Sequence, residues 1–173
     1  MLTYLPFINT LIGIGVTLAG INGIIAFSFF ITKKENAYTR WVQKYALWIG
    51  LKISVLAVIV SLFYSDIAGY LPCKLCWFAR IFMYPQVILF AIALRKKIPV
   101  RLYSIGLTIG GMIITLYHNY IYLGGYSPLP CDAAASCTQR FVFELGFITI
   151  PFMATAGFIA ILGVILLYKE NNA

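Results

Sequence analysis

Four cysteines fall into two pairs: Cys73 and Cys76 in the stretch Pro-Cys-Lys-Leu-Cys, and Cys131 and Cys137 further on. They are all the cysteines in the chain. Sulfur in this arrangement can exchange disulfides, staple a surface or ligate a metal. A Cys-x-x-Cys disulfide closes too small a loop for chain entropy to stabilise much, and such bridges belong more often to reactive pairs. Two structural bridges remain open as a reading, with Cys131–Cys137 the better suited. So does a four-cysteine zinc site, for which Cys-x-x-Cys is good ligand spacing and five intervening residues is loose. The spacing weighs toward exchange.

The surroundings of Cys76 add to that weight. A helix starting near Leu75 would put Cys73 and Cys76 at its positive end, which favours a thiolate. Arg80, four residues after Cys76, shares its helix face. A permanently charged guanidinium there would favour an anionic sulfur or a reduced, anionic acceptor; the other reading of Arg80 is an anchor on lipid phosphate. His118 is the single histidine. It follows Arg101 by 17 residues, about 25 Å at 1.5 Å per residue, which against an apolar core of about 30 Å brings it to the depth of Cys76 and Arg80. A packing or interfacial histidine is the alternative.

Hydrophobic residues make up 62% of the 173 and charged residues only 10%, against about 45–50% and about 25% in soluble domains. With several long apolar runs, this reads as an all-α, polytopic membrane protein. Five spans are expected: residues 7–31, 46–64, 75–94, 102–123 and 145–168. The first lacks the basic start and small-residue cleavage site of a signal peptide, so it is read as a retained helix. The net charge of +8 does not form a nucleic-acid patch. Nine of the thirteen basic residues lie at one set of helix ends, among them Lys33, Lys34, Arg40, Lys44, Arg95 and Lys96. By the positive-inside rule the N-terminus is outside, the C-terminus inside, and both cysteine pairs face the disulfide-tolerant compartment. Lys52, within the second span, has a stem long enough to snorkel back to the cytoplasmic interface. Gly106 and Gly110 in the fourth span form a small-xxx-small pair suited to close helix packing.

A thiol pair at a membrane surface must pass two electrons on. No haem motif, Gly-rich dinucleotide turn or iron–sulfur spacing is present. By elimination, the acceptor that needs no motif is a lipid-soluble quinone between the helices.

Ser-Leu-Phe-Tyr-Ser-Asp at 61–66 and Pro-Cys-Lys-Leu-Cys-Trp-Phe-Ala-Arg-Ile-Phe-Met-Tyr-Pro at 72–85 resemble the DsbB/BdbC family of membrane disulfide oxidoreductases. So do Leu-Tyr-His at 116–118 and Gly-Phe-Ile-Thr-Ile-Pro-Phe at 146–152. The resemblance covers roughly residues 45–168, with the short loop of BdbC-type members. It implies a four-helix bundle over residues 45–173, preceded by an extra helix and basic loop over residues 1–44. It also implies a bacterial plasma-membrane enzyme that reoxidises a soluble thioredoxin-fold (DsbA/BdbD-like) thiol oxidase. The electrons would go to menaquinone or ubiquinone, supporting disulfide formation in exported proteins. Carried over by position, Cys131 would take the mixed disulfide with the partner, Cys137 would exchange with Cys73, and Cys76 would face the quinone, with Arg80 and His118 beside it.

Ala79 departs from the family, standing where many short members carry Gln, and residues 7–31 have no counterpart in the four-helix core. Vitamin K epoxide reductases share the bundle idea but place their loop cysteines before the Cys-x-x-Cys, the reverse of the order here. The reading from another class is a non-catalytic membrane protein with a disulfide- or zinc-stapled outer face.

Overall fold

The computed structural model describes residues 4–96, 98–126, 137, 139 and 141–169. Cys131, expected to be catalytic, lies outside the described residues. The described chain is helical: α1 (Leu5–Thr32), α2 (Ala37–Leu62), α3 (Lys74–Lys96), α4 (Arg101–Tyr122) and α5 (Ile150–Leu167). A short π-helical turn, Phe63–Ile67, extends α2.

Four of these are long and apolar enough to cross a membrane: α1, α2 with its π turn, α3 and α5. Several of their polar side chains are satisfied within the helix, as apolar surroundings favour, while Asn9 Oδ1 in α1 is buried with no partner among the described residues. In α1, Thr10, Thr17, Asn22, Ser28 and Thr32 each donate to the carbonyl four residues back. The remaining helix, α4, packs between α3 and α5. It carries Ser104, Thr108, Thr115 and His118 on its buried face, while Leu102, Ile109, Ile113 and Leu116 are exposed. Its polar content points inward.

The element ends differ from those read off the apolar runs, and local chemistry explains each difference. α2 begins at Ala37, nine residues before the expected start of that span, so Arg40 and Lys44 lie on the helix. Asn36 and Thr39 form a reciprocal cap: Thr39 N–H donates to Asn36 Oδ1 at 2.8 Å, and Asn36 N–H to Thr39 Oγ1 at 2.9 Å. α5 begins at Ile150, where the Thr149 hydroxyl accepts from Phe152 N–H and Pro151 suits the first turn. Residues 144–148 form a bridged turn instead, with Leu145 and Gly146 at φ 52° and 79°.

α5 is the axis of the bundle. α1, α2 and α4 all pack against it, and Phe158, Ile161 and Ile165 are fully buried. α1 lies along α5 through Gly13, Gly20 and Gly23, where an added Cβ would collide with Ile148, Ala156 and the Ile159–Ala160 backbone. It meets α2 only lightly. The expected Gly106–Gly110 seam is not a seam. A Cβ on Gly110 would strike Phe82 of α3, whereas one at Gly106 meets nothing within 4 Å.

A buried polar clamp joins α3 to α4. Gln86 Nε2 donates to Ser104 O at 3.1 Å and Thr108 Oγ1 at 2.9 Å, and Ser104 Oγ returns a bond to Gln86 Oε1 at 2.8 Å. Alternating helix direction puts the starts of α1, α3 and α5 and the ends of α2 and α4 at one pole. Lys33, Arg40, Arg95, Arg101 and Lys169 gather toward the other. There Arg101 Nη2 donates to Leu166 O at 3.1 Å, and Lys169 pairs with Glu35 at 2.6 Å.

Candidate active site

Cys73 immediately precedes α3, and its carbonyl accepts from Trp77 N–H at 3.2 Å. Cys76 is therefore in the first turn, where unpaired backbone N–H groups and the helix dipole favour negative charge. The two sulfurs are 3.3 Å apart, with Cys73 the donor to Cys76. They are thiols, since a disulfide brings its sulfurs to about 2.05 Å.

α4 delivers His118 to the same point. Its Nε2 lies 3.8 Å from Cys73 Sγ and 3.2 Å from the Cys137 carbonyl oxygen. A carbonyl only accepts, so the proton of this contact sits on Nε2. The resulting order runs from His118 Nε2–H to Cys73, and from Cys73 S–H to Cys76. Cys137 packs with Cys73, Leu75 and Ile121 in one buried cluster, so the described loop cysteine and the Cys-x-x-Cys share a core. The hydrogen bond to Cys76, together with burial, pushes the Cys73 thiol from an ordinary 9.0 up to about 12; the His118 contact pulls the other way.

Ligand atoms of Cys73, Cys76 and His118 lie within 4.8 Å of one another, close enough to hold a metal ion. A metal would have to take the lone pair of a ring nitrogen. Nε2, the nitrogen beside Cys73, is donating to the Cys137 carbonyl and has none to give. Metal binding there requires breaking that bond.

Arg80, half-buried, does not reach for sulfur. Its Nε donates to Ser61 Oγ at 2.9 Å and its Nη2 to Ser61 O at 3.2 Å, while the guanidinium lies 5.0 Å over the Trp77 ring. Tyr84 OH also donates to Ser61 Oγ, at 3.4 Å. Ser61 thus fixes Arg80 against α2. Lys52 stays out of the site, exposed on the outer face of α2 with Trp41, Tyr45 and Trp48.

These groups open onto a cavity of about 450 Å³. Cys73, Cys76, Arg80 and His118 line its head, Ala79 and Met83 its α3 wall, and Gly157 and Phe158 its α5 wall. Tyr64, on the π turn, also lines it. Only 5% of Tyr64 is exposed, and its buried hydroxyl has no hydrogen-bond partner among the described residues. Tyr70 stacks between Tyr64 and Phe141, with ring centroids 5.8 Å and 4.6 Å apart. Sequence reasoning assigned no role to Ser61 or Tyr64, although both lie in the Ser-Leu-Phe-Tyr-Ser-Asp stretch. A serine and a tyrosine in an apolar span carry no signal of their own until the fold turns them inward.

A profile of the family described as disulfide bond formation protein DsbB matches residues 43–168. The chain belongs to the DsbB family. Among curated relatives of the family, the probable disulfide formation protein C 2 of Bacillus cereus is 34% identical over 135 residues, covering 77% of this chain and 96% of that protein. The disulfide bond formation protein C of Bacillus subtilis is 36% identical over 137 residues, covering 78% and 97%. A probable disulfide formation protein C of Halalkalibacterium halodurans is 41% identical over 111 residues, covering 61% and 79%. No solved structure matches. As a DsbB-family member the chain is a multi-pass membrane disulfide oxidoreductase. Its Cys-x-x-Cys, Arg80 and His118 all fall inside the matched stretch, and α1 falls outside it.

Proposed function

We propose that this protein oxidises a soluble thioredoxin-fold dithiol and passes the two electrons to a membrane quinone. The observation that carries the reading is the position of Cys73, Cys76 and His118 at the head of an apolar cavity. The cavity offers a buried hydroxyl on Tyr64, unpartnered among the described residues, and a fixed cation on Arg80, which fit the oxygen of a quinone at the edge of an apolar body. A quinone bound there supplies a two-electron, two-proton sink.

The chain's own residues do the rest. A thiolate of the partner attacks the Cys131–Cys137 disulfide, forming a mixed disulfide through Cys131 and releasing Cys137. The partner's second thiolate closes its own disulfide and frees Cys131. Cys137 and Cys131 then reduce the Cys73–Cys76 disulfide by the same kind of exchange, so that two thiols appear at the head of the cavity and the loop disulfide is restored. Each exchange breaks one S–S bond and makes one. The dithiol at Cys73 and Cys76 holds the two electrons and two protons that leave the partner. His118 Nε2–H, beside Cys73 and Cys137, favours negative charge on sulfur during exchange between the pairs, and Cys73 S–H does the same for Cys76.

The five-span, N-out arrangement belongs to the same proposal, with the cysteine pole extracytoplasmic in a bacterial plasma membrane. The basic pole opposite the cysteines supports it. So does the inward polarity of α4, whose apolar face is left for lipid.

The test is quinone reduction by the purified protein supplied with a reduced thioredoxin-fold dithiol protein, with Cys76→Ser in parallel. Turnover in the wild type that disappears in Cys76→Ser, and survives a chelator, is the expected result. Bound zinc together with no turnover would return the chain to a metal-stapled membrane protein.

A further inference from the structure

α1 lies outside the family's matched stretch, yet it forms one wall of the cavity. Ile12, Gly15, Val16 and Ala19 line it, the i, i+3, i+4, i+7 spacing of a single helix face. On the adjoining strip, Gly20 and Gly23 are closed against α5 and Gly13 against Ile148 just before it. Gly15 differs from them, because a Cβ added there meets nothing within 4 Å. On this face small residues keep space open rather than seal a seam.

Across the cavity stands α2, with Ile53, Leu56 and Val60 in the lining. Leu56 lines the cavity and is also 59% exposed, and α1 meets α2 only lightly, so the cavity opens sideways between these two helices. The apolar slot from Ser61 to Ile53 runs eight residues along α2, about 12 Å. At its head the buried, unpartnered Tyr64 hydroxyl and the redox pair mark where a polar headgroup belongs. A ligand that fits has a polar, reducible head and a flexible apolar chain long enough to reach lipid.

Resting on the quinone reading above, we propose that α1 is the tail wall of the quinone site: an isoprenoid chain runs along Gly15 and Ala19 and leaves for the bilayer between α1 and α2, so that α1 favours tailed quinones over tailless ones. The four-helix part supplies the head pocket, and the additional helix converts an open flank into a slot.

The experiment measures binding directly, by tryptophan-fluorescence quenching of the full-length protein in detergent. A menaquinone with an isoprenoid tail is compared with menadione, its tailless counterpart. Gly15→Phe, which fills the slot, is compared with Gly106→Phe, whose Cβ also meets nothing within 4 Å but which does not line the cavity. The expected result is a Kd for the tailed quinone weakened about tenfold or more in Gly15→Phe. Menadione affinity should hold within about twofold, and Gly106→Phe should change neither ligand. Gly15→Leu should give a smaller loss in the same order, and retained menadione binding shows that each variant is folded. Unchanged affinity for the tailed quinone in Gly15→Phe, or equal loss of both ligands in Gly15→Leu with unaltered thermal unfolding, overturns the tail wall. Wild-type protein that binds neither quinone overturns the quinone reading itself, and the tail wall with it.

Discussion

Cys73 and Cys76 are the same residue type, three positions apart, in different chemical situations. Cys73 is buried and gives its hydrogen to Cys76, so Cys73 keeps its own proton until about pH 12. Because the folded state holds that proton above the thiol's ordinary 9.0, the contribution to stability is complete below about pH 9 and is lost as pH rises toward 12. Thermal unfolding of the reduced protein should therefore show a downward arm between those limits that Cys73→Ser removes. Alkylation of Cys73, followed by peptide mass spectrometry, should lag at pH 9 in the folded protein and proceed readily once it is denatured; equal rates would refute the assignment. Arg80 is the second case, held by two acceptors on one serine. Ser61→Ala removes the Oγ contact, worth about 1 kcal/mol. The expected result is a severalfold weaker quinone Kd with partner-driven exchange at the loop cysteines unchanged.

At the scale of elements, the α3–α4 pair is held by chemistry that hydropathy cannot see. Gln86, Ser104 and Thr108 are fully buried and bonded to one another across the two helices. Gln86→Leu leaves Ser104 and Thr108 short of partners between the helices, at a cost of about 1–2 kcal/mol. Thermal unfolding in detergent should show that loss, and a double variant that also carries Ser104→Ala should recover part of it. These elements were partly legible beforehand. The apolar runs located all five helices, but their ends were set by short signals inside or beside the runs. Asn36 with Thr39 starts α2 early, and Gly146 with Thr149 starts α5 late. A cap is a two-residue hydrogen-bond pattern, and averaging over a span hides it.

Over the whole molecule, α5 is the surface on which three other helices assemble, and α1 depends on it. Gly23 and Gly163 bring the two backbones so close that a Cβ on either would land on the other helix. Gly23→Leu is expected to destabilise the protein by about 1–3 kcal/mol through overpacking. It should loosen α1 before the rest of the bundle, visible as faster hydrogen exchange in α1 than in α3 and α4. Uniform exchange across all the helices would show that α1 is no separate layer.

The chain alone determined that this is a helical membrane protein, how its cysteines are spaced, and the family those residues resemble. Those properties are local: an apolar run of sufficient length must find lipid or protein, and a cysteine in the first turn of a helix has its thiolate favoured by the helix itself. What only the tertiary structure decided is which groups face one another. Cys73 beside His118, Arg80 turned to Ser61, the unpartnered Tyr64 hydroxyl and α1 walling the cavity are contacts between helices distant in sequence. Their register follows from small residues meeting large ones on and just before α5, as at Gly111 against Phe158 and Gly13 against Ile148. Hydropathy is blind to that complementarity, because in lipid a glycine face and a leucine face are equally apolar and differ only in how closely another helix can approach.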